Sequence, residues 1–145
     1  MKKHLPYALA AALLSTAAMA QTPMPLNSGV TQATISQTIC AYGWTRTVRP
    51  EWPYTDGIKN QLLANAGHAR VEKRYWRLDH IVPLELGGDP ISPNNMQLQT
   101  VAESDQKDEV EDCLRAAVCS GSLDLDVARE AIWRDWRAAA ALCRG

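Results

Sequence analysis

An aspartate followed directly by a histidine, Asp79 and His80, heads an apolar run and offers two parts of one chemistry. Cleaving a phosphodiester requires a deprotonated water aimed at phosphorus and a cation that stabilises charge on the phosphate and the leaving oxygen. His80 can serve the first need, because an imidazole with a reference pKa of about 6.5 is the side chain naturally poised as a base near neutral pH. Asp79 points to the other face of a regular strand and can hold a hard cation through oxygen. Asn94 and Asn95 follow, and an amide that donates and accepts at once can clamp a loop backbone beside the histidine. Just upstream, residues 68–77 carry His68, Arg70, Lys73, Arg74 and Arg77, with Tyr75 and Trp76 between them. This segment reads in two ways: as a phosphate-contacting strip with an aromatic for base stacking, or as a solvated loop whose aromatics are core. His68 itself reads as a surface or structural residue.

These residues need elements to position them. Residues 77–86 read as a strand, with Leu78, Ile81, Val82, Leu84 and Leu86 as its apolar content and Gly87-Gly88 as its stop. A turn-rich loop covers 89–93, and residues 95–100 alternate Met96 and Leu98 against Gln97 and Gln99, as a strand with one wet face does. Residues 103–118 form a helix by pattern, with Val110, Leu114 and Val118 four apart and acidic residues gathered in its first half. A second helix is expected over 125–142, capped by Asp124, with Ala128, Ile132, Trp136 and Ala139 or Ala140 as its buried stripe. Upstream, Pro50 and Pro53 interrupt the chain, and Thr55 caps a helix over 56–66 that Gly67 ends. Residues 21–30 read as a flexible lead-in, and 30–49 as an extended arm anchored by Ile35, Ile39, Tyr42 and Trp44.

In order, LDHIVPLELGG, NNMQLQ and KDEVE resemble the HNH nuclease motif, also called ββα-metal, and more closely a family of small exported bacterial HNH-type proteins. The motif spans 75–111 and the likeness extends from about 31 to 136. The resemblance implies an α+β fold: a small β-hairpin plus helix core packed with additional helices, in one domain over 31–145. It also implies His80 as general base, Asp79 as a metal ligand and Asn95 as the loop clamp. Asn95 is preferred over Asn94 because Met96 and Leu98 follow it as the family's strand does. The sequence departs from the family in the helix, where a second ligand stands a few residues before a lysine such as Lys107. Counting back reaches Ser104, a poor ligand, with Asp105 beside it and Asp108 one turn on, and either carboxylate can complete an oxygen-rich site with Asp79. The cofactor implied is a divalent metal, Mg²⁺ first, with Mn²⁺ or Zn²⁺ as alternatives.

Residues 1–20 place Lys2, Lys3 and His4 before an apolar run and end on Ala18-Met19-Ala20, the pattern of a cleaved secretory signal. That run is short of the roughly 20 residues a membrane span requires, so a periplasmic or secreted protein without a membrane is expected. Of fifteen basic and sixteen acidic residues, loss of this segment removes Lys2 and Lys3 and no acid, leaving thirteen against sixteen, a formal charge of −3. A mildly acidic chain does not bind nucleic acid through its overall field, so Arg70, Lys73, Arg74 and Arg77 must act as a local patch. The four cysteines are even in number and lack a C-x-x-C pair, which favours two disulfides over zinc. Cys40 pairs with Cys119, where an incoming arm reaches the end of a helix, and Cys113 pairs with Cys143 on the neighbouring helix. Two functions compete at this stage. One is an exported, monomeric, metal-dependent endonuclease acting on DNA before RNA; the other is an HNH scaffold that has lost turnover and binds. The presence of Asp79, His80 and Asn95 together favours the first, while Ser104 and the acidic charge favour the second.

Overall fold

A computed structural model describes residues 23–144, and the signal segment expected over 1–20 lies outside the described residues. In chain order the elements are α1 (Trp44–Val48), α2 (Trp52–Asn65), β1 (Trp76–His80), β2 (Met96–Thr100), α3 (Val101–Ser120) and α4 (Leu125–Ala139), with short 3-10 turns between them. Helices α2 and α3 pack against the two-stranded antiparallel sheet that the described residues form, an α+β arrangement.

The strands pair from Trp76 opposite Thr100 to His80 opposite Met96. Residues opposed across a ladder share a face, so Arg77, Asp79, Gln97 and Gln99 lie on one side, and Trp76, Leu78 and His80 on the other. The first strand is shorter than the apolar run suggests. Pro83 has no N–H to give a ladder, and Leu84–Leu86 close into a 3-10 turn, so the run from Val82 to Leu86 is core loop instead of strand. The second strand's supposed wet face is also covered: Gln99 is only 6% exposed.

Helix α3 starts directly from β2. Thr100 Oγ1 accepts from Glu103 N–H at 3.3 Å while the Glu103 carboxylate accepts from Thr100 N–H at 3.3 Å, a reciprocal cap that turns strand into helix within one residue. Ser104, Lys107, Val110, Leu114 and Val118 are its buried row, and Gly121 at φ +80 ends it. Helix α4 is capped by Asp124, whose Oδ1 accepts from Asp126 N–H at 2.9 Å. It does not run unbroken to Leu142. Asp135 is extended, its Oδ1 accepts from Arg137 N–H at 2.9 Å to restart the helix, and a 3-10 turn follows from Ala140. Helix α2 begins at Trp52, ahead of the expected Thr55 cap, because a proline in the first turn lacks only an N–H that has no intrahelical partner there.

The core lies between α3, α4 and the loops before them, built from Val30, Ile39, Val82, Leu114, Ile132 and neighbouring apolar residues. The segment before residue 44 is coiled into turns and a 3-10 helix, not extended, and Tyr42 is 95% exposed where burial was expected. The described part of the lead-in is docked: Asn27 N–H donates to Gly87 O, Asp89 N–H to Pro25 O, and Val30 is buried. Arg129 of α4 fixes it further, donating from Nε to Leu86 O at 2.7 Å and from Nη2 to Val30 O at 2.9 Å. The disulfides are Cys40–Cys119 and Cys113–Cys143, so both fasten outlying chain to α3. Among the described residues, no helix is long and apolar enough to cross a membrane.

Candidate active site

His80 is the last residue of β1, where the chain leaves the ladder for the loop 81–95. Asn95 holds that loop shut. Its Oδ1 accepts from Val82 N–H at 2.9 Å, and its Nδ2 donates to Val82 O and Asp89 O, both at 2.9 Å. The amide is fully buried, and it uses both ends as the sequence reading required. Gly88 belongs to the same clamp, since a Cβ there would stand 1.9 Å from Val82 O and 2.7 Å from Asn95 Nδ2. The clamped loop presents Pro90 O 3.1 Å from His80 Nε2. A carbonyl only accepts, so Nε2 carries the proton and the neutral ring keeps its lone pair on Nδ1. Burial lowers the His80 pKa, with the Pro90 hydrogen bond and the Asp79 charge opposing more weakly, so the ring is held in its basic, neutral form.

Asp79 points the other way, toward α3, and meets the buried ammonium of Lys107 at 2.8 Å. The ammonium is the partner of the buried Asp79 Oδ2, which accepts from no other group among the described residues. Lys107 donates to His80 O at 2.7 Å and is also hydrogen-bonded to the Glu111 carboxylate. Asp79, Asp108 and Glu111 each bring an oxygen within 4.8 Å of the others. Asp79 and Glu111 share the Lys107 ammonium, while Asp108 has the Arg77 guanidinium 3.9 Å away. Burial, and then the Asp79 charge against the pull of Lys107, pushes the Glu111 carboxyl up to about 8. Asp108 is also raised, by burial and then by Asp79. For Lys107 burial works against the charge, but Glu111 and Asp79 outweigh it and the pKa is raised. His80, Asp79, Asp108, Glu111, Ser104 and Glu85 open on one cleft of about 400 Å³.

The helix register decides which expected ligands arrive. Ser104, Lys107, Asp108 and Glu111 fall at spacings of three, four and seven and share a face, whereas Asp105 is turned away by one helical step. Asp105 is exposed and instead takes Arg77 at 2.5 Å, so the carboxylate that α3 offers to Asp79 is Asp108 and not Asp105. Ser104 is buried and lines the cleft. Lys107 and Glu111 were not singled out from sequence as parts of the site, although their i, i+4 spacing on the ligand face was the signal that could have marked them.

The basic strip is divided. Lys73 is bound to Asp56, Arg77 to Asp105 with Asp108 at 3.9 Å, and Arg74 lies over the Tyr75 ring with its Nη2 2.7 Å from the phenol oxygen. Arg70 is exposed, and His68 packs on Trp76 with ring centroids 4.4 Å apart.

The carboxylates fit a hard dication. The donor set is all oxygen, with three carboxylates converging from β1 and two turns of α3. It holds no cysteine or histidine. No protein-family model, characterised protein or solved structure shows a significant match to the chain.

Proposed function

We propose that the chain is a metal-dependent endonuclease of the HNH type that hydrolyses phosphodiester bonds, of DNA first and RNA second. One observation carries this reading: His80, with Nδ1 free, and the Asp79, Asp108 and Glu111 carboxylates open on the same cleft from opposite faces of one strand. His80 Nδ1 takes a proton from water as its oxygen bonds to phosphorus; the ester P–O bond breaks and the leaving oxygen is protonated from solvent. Pro90 O stabilises the imidazolium that this creates, and Asn95 keeps Pro90 in place through Asp89. A dication on the three carboxylates would supply charge stabilisation to the phosphate and the leaving oxygen. Lys107 orients Asp79 and Glu111 for that role and ties α3 to the His80 backbone.

A second reading, an HNH scaffold that binds without turnover, draws support from the same lysine. Its ammonium already lies among the carboxylates, and a serine stands where the family places a helix ligand. Plasmid nicking separates the two. The chain without residues 1–20, disulfides intact, should convert supercoiled plasmid to nicked and linear forms with Mg²⁺ or Mn²⁺ and stop in EDTA. His80→Ala should lose about 10² to 10⁴ in rate, as for removal of a general base, while Asp79→Ala should raise the metal concentration required. Wild type no faster than His80→Ala across metals and both nucleic acids would leave the binding reading.

A further inference from the structure

A second groove, of about 480 Å³, shares Arg49, Leu78, Asp79 and His80 with the carboxylate cleft and extends from them along the start of α2. Its wall carries Arg49, Trp52 and Lys59. Trp52 is 74% exposed, although an indole is a large apolar surface that folding ordinarily covers. The two acids in the groove are already engaged, Asp56 by Lys73 and Asp79 by Lys107. Among the described residues neither Arg49 nor Lys59 makes an ion pair. Unbalanced positive charge is felt locally: burial and then the neighbouring Lys73 lower the Lys59 pKa, with Asp56 pulling the other way.

The wall is held in place against the base. The Tyr54 hydroxyl, two residues on from Trp52, donates to Ile91 O, and the preceding residue, Pro90, is the one that holds His80. An exposed aromatic face, two unpaired cations and the candidate base thus occupy one groove at fixed relative positions. We infer that this groove binds single-stranded nucleic acid, with an unpaired base stacked on Trp52 and the flanking phosphates on Arg49 and Lys59. Duplex fits less well, because its bases are stacked on one another and offer no free face to the indole. Within the nuclease reading, which this inference deepens, the strand would be led toward His80 from the α2 side. The basic segment 70–77 lies outside this groove and has Lys73 and Arg77 committed to acids.

The test is fluorescence anisotropy of a labelled single-stranded oligonucleotide and of its duplex, in EDTA so that nothing is cleaved. Trp52→Ala should weaken single-strand binding by about fivefold to a hundredfold or more, as stacked aromatics do. Arg49→Ala with Lys59→Ala should lower the salt slope by about 1.4, from roughly 0.7 per phosphate contact on a single strand. Trp52 is exposed, so its truncation leaves the fold intact, and circular dichroism of the variant checks this. No binding by wild type, or wild-type affinity in Trp52→Ala, would overturn the inference. Binding that depends on Trp52 without cleavage under any metal would uphold it while removing the nuclease reading. Plasmid cleavage with oligonucleotide affinity indifferent to Trp52, Arg49 and Lys59 would do the reverse.

Discussion

Replacing Lys107 with methionine should destabilise the protein strongly, and more at high pH than at low. Methionine fills the space of the lysine stem, so the loss reports the ammonium and not a cavity. That ammonium is completely buried and meets Asp79, Glu111 and His80 O. Removing one partner of a buried ion pair costs about 3–5 kcal/mol, a large share of a domain stability of roughly 5–15 kcal/mol. With a urea m-value of about 1.5 kcal/mol/M, the denaturation midpoint should fall by about 2–3 M. The pH dependence follows from the carboxylates left behind. Burial already raises Asp108 and holds Glu111 at about 8 in wild type, and loss of the opposing ammonium should raise both further in the folded variant. The folded variant therefore holds extra protons near neutral pH, and stability falls as pH rises wherever the folded state binds more protons. The gap from wild type should widen from pH 5 to pH 8. Adding Mg²⁺ or Mn²⁺ should narrow it, since the cation no longer shares the carboxylates with an ammonium and binds the variant more tightly, each tenfold in Kd adding about 1.4 kcal/mol to the difference. The assay is urea denaturation followed by tryptophan fluorescence across that pH range, disulfides intact. A Lys107→Met protein within about 1 kcal/mol of wild type at pH 8, or a gap that shrinks as pH rises, would refute the reasoning.

Asn95→Ala deletes three hydrogen bonds, two of them buried, and leaves Val82 N–H and O unsatisfied, so it should cost about 2–4 kcal/mol. Hydrogen exchange at the Val82 amide should speed up more than exchange in the middle of α3, where the change makes no contact. Reducing both disulfides should lower the melting temperature, each closure contributing about 3–5 kcal/mol in the chain-entropy model, which calorimetry with and without reductant will measure. Loss of Cys40–Cys119, with its separation of 79 residues, should cost more than loss of Cys113–Cys143, with 30.

What the sequence made legible is local. The Asp124 cap and Gly67 are short-range signals, and α4 begins and α2 ends close to where they stand. The strand was overrun because Val82, Leu84 and Leu86 are apolar for a tertiary reason, contact with α3 and the arm, which a two-residue period cannot distinguish from a ladder. Tyr42 was misplaced for the complementary reason: an aromatic in an apolar-rich arm reads as core, but the arm turns and leaves it outside. Asp79, His80 and Asn95, singled out from sequence, stand at the end of β1 and at the clamp of the loop that follows it. Lys107 was read as a landmark because a charged residue on a helix is normally solvated, and its burial depends on carboxylates supplied by another element and by the next turn.

The two disulfides have a consequence for a chain that meets proteases. Two exposed connections lie within the described residues: the turn at Gly67 and the segment at Gly121 and Ser122. A cut at the first separates pieces still joined through Cys40 and Cys119, and a cut at the second separates pieces still joined through Cys113 and Cys143. Either nick leaves one covalent molecule, in which each severed part stays tethered to α3 at high effective concentration and can settle back into place. Loop hydrolysis would thus appear as two bands only after reduction, and folding of the hairpin against α3 would outlast the continuity of the backbone.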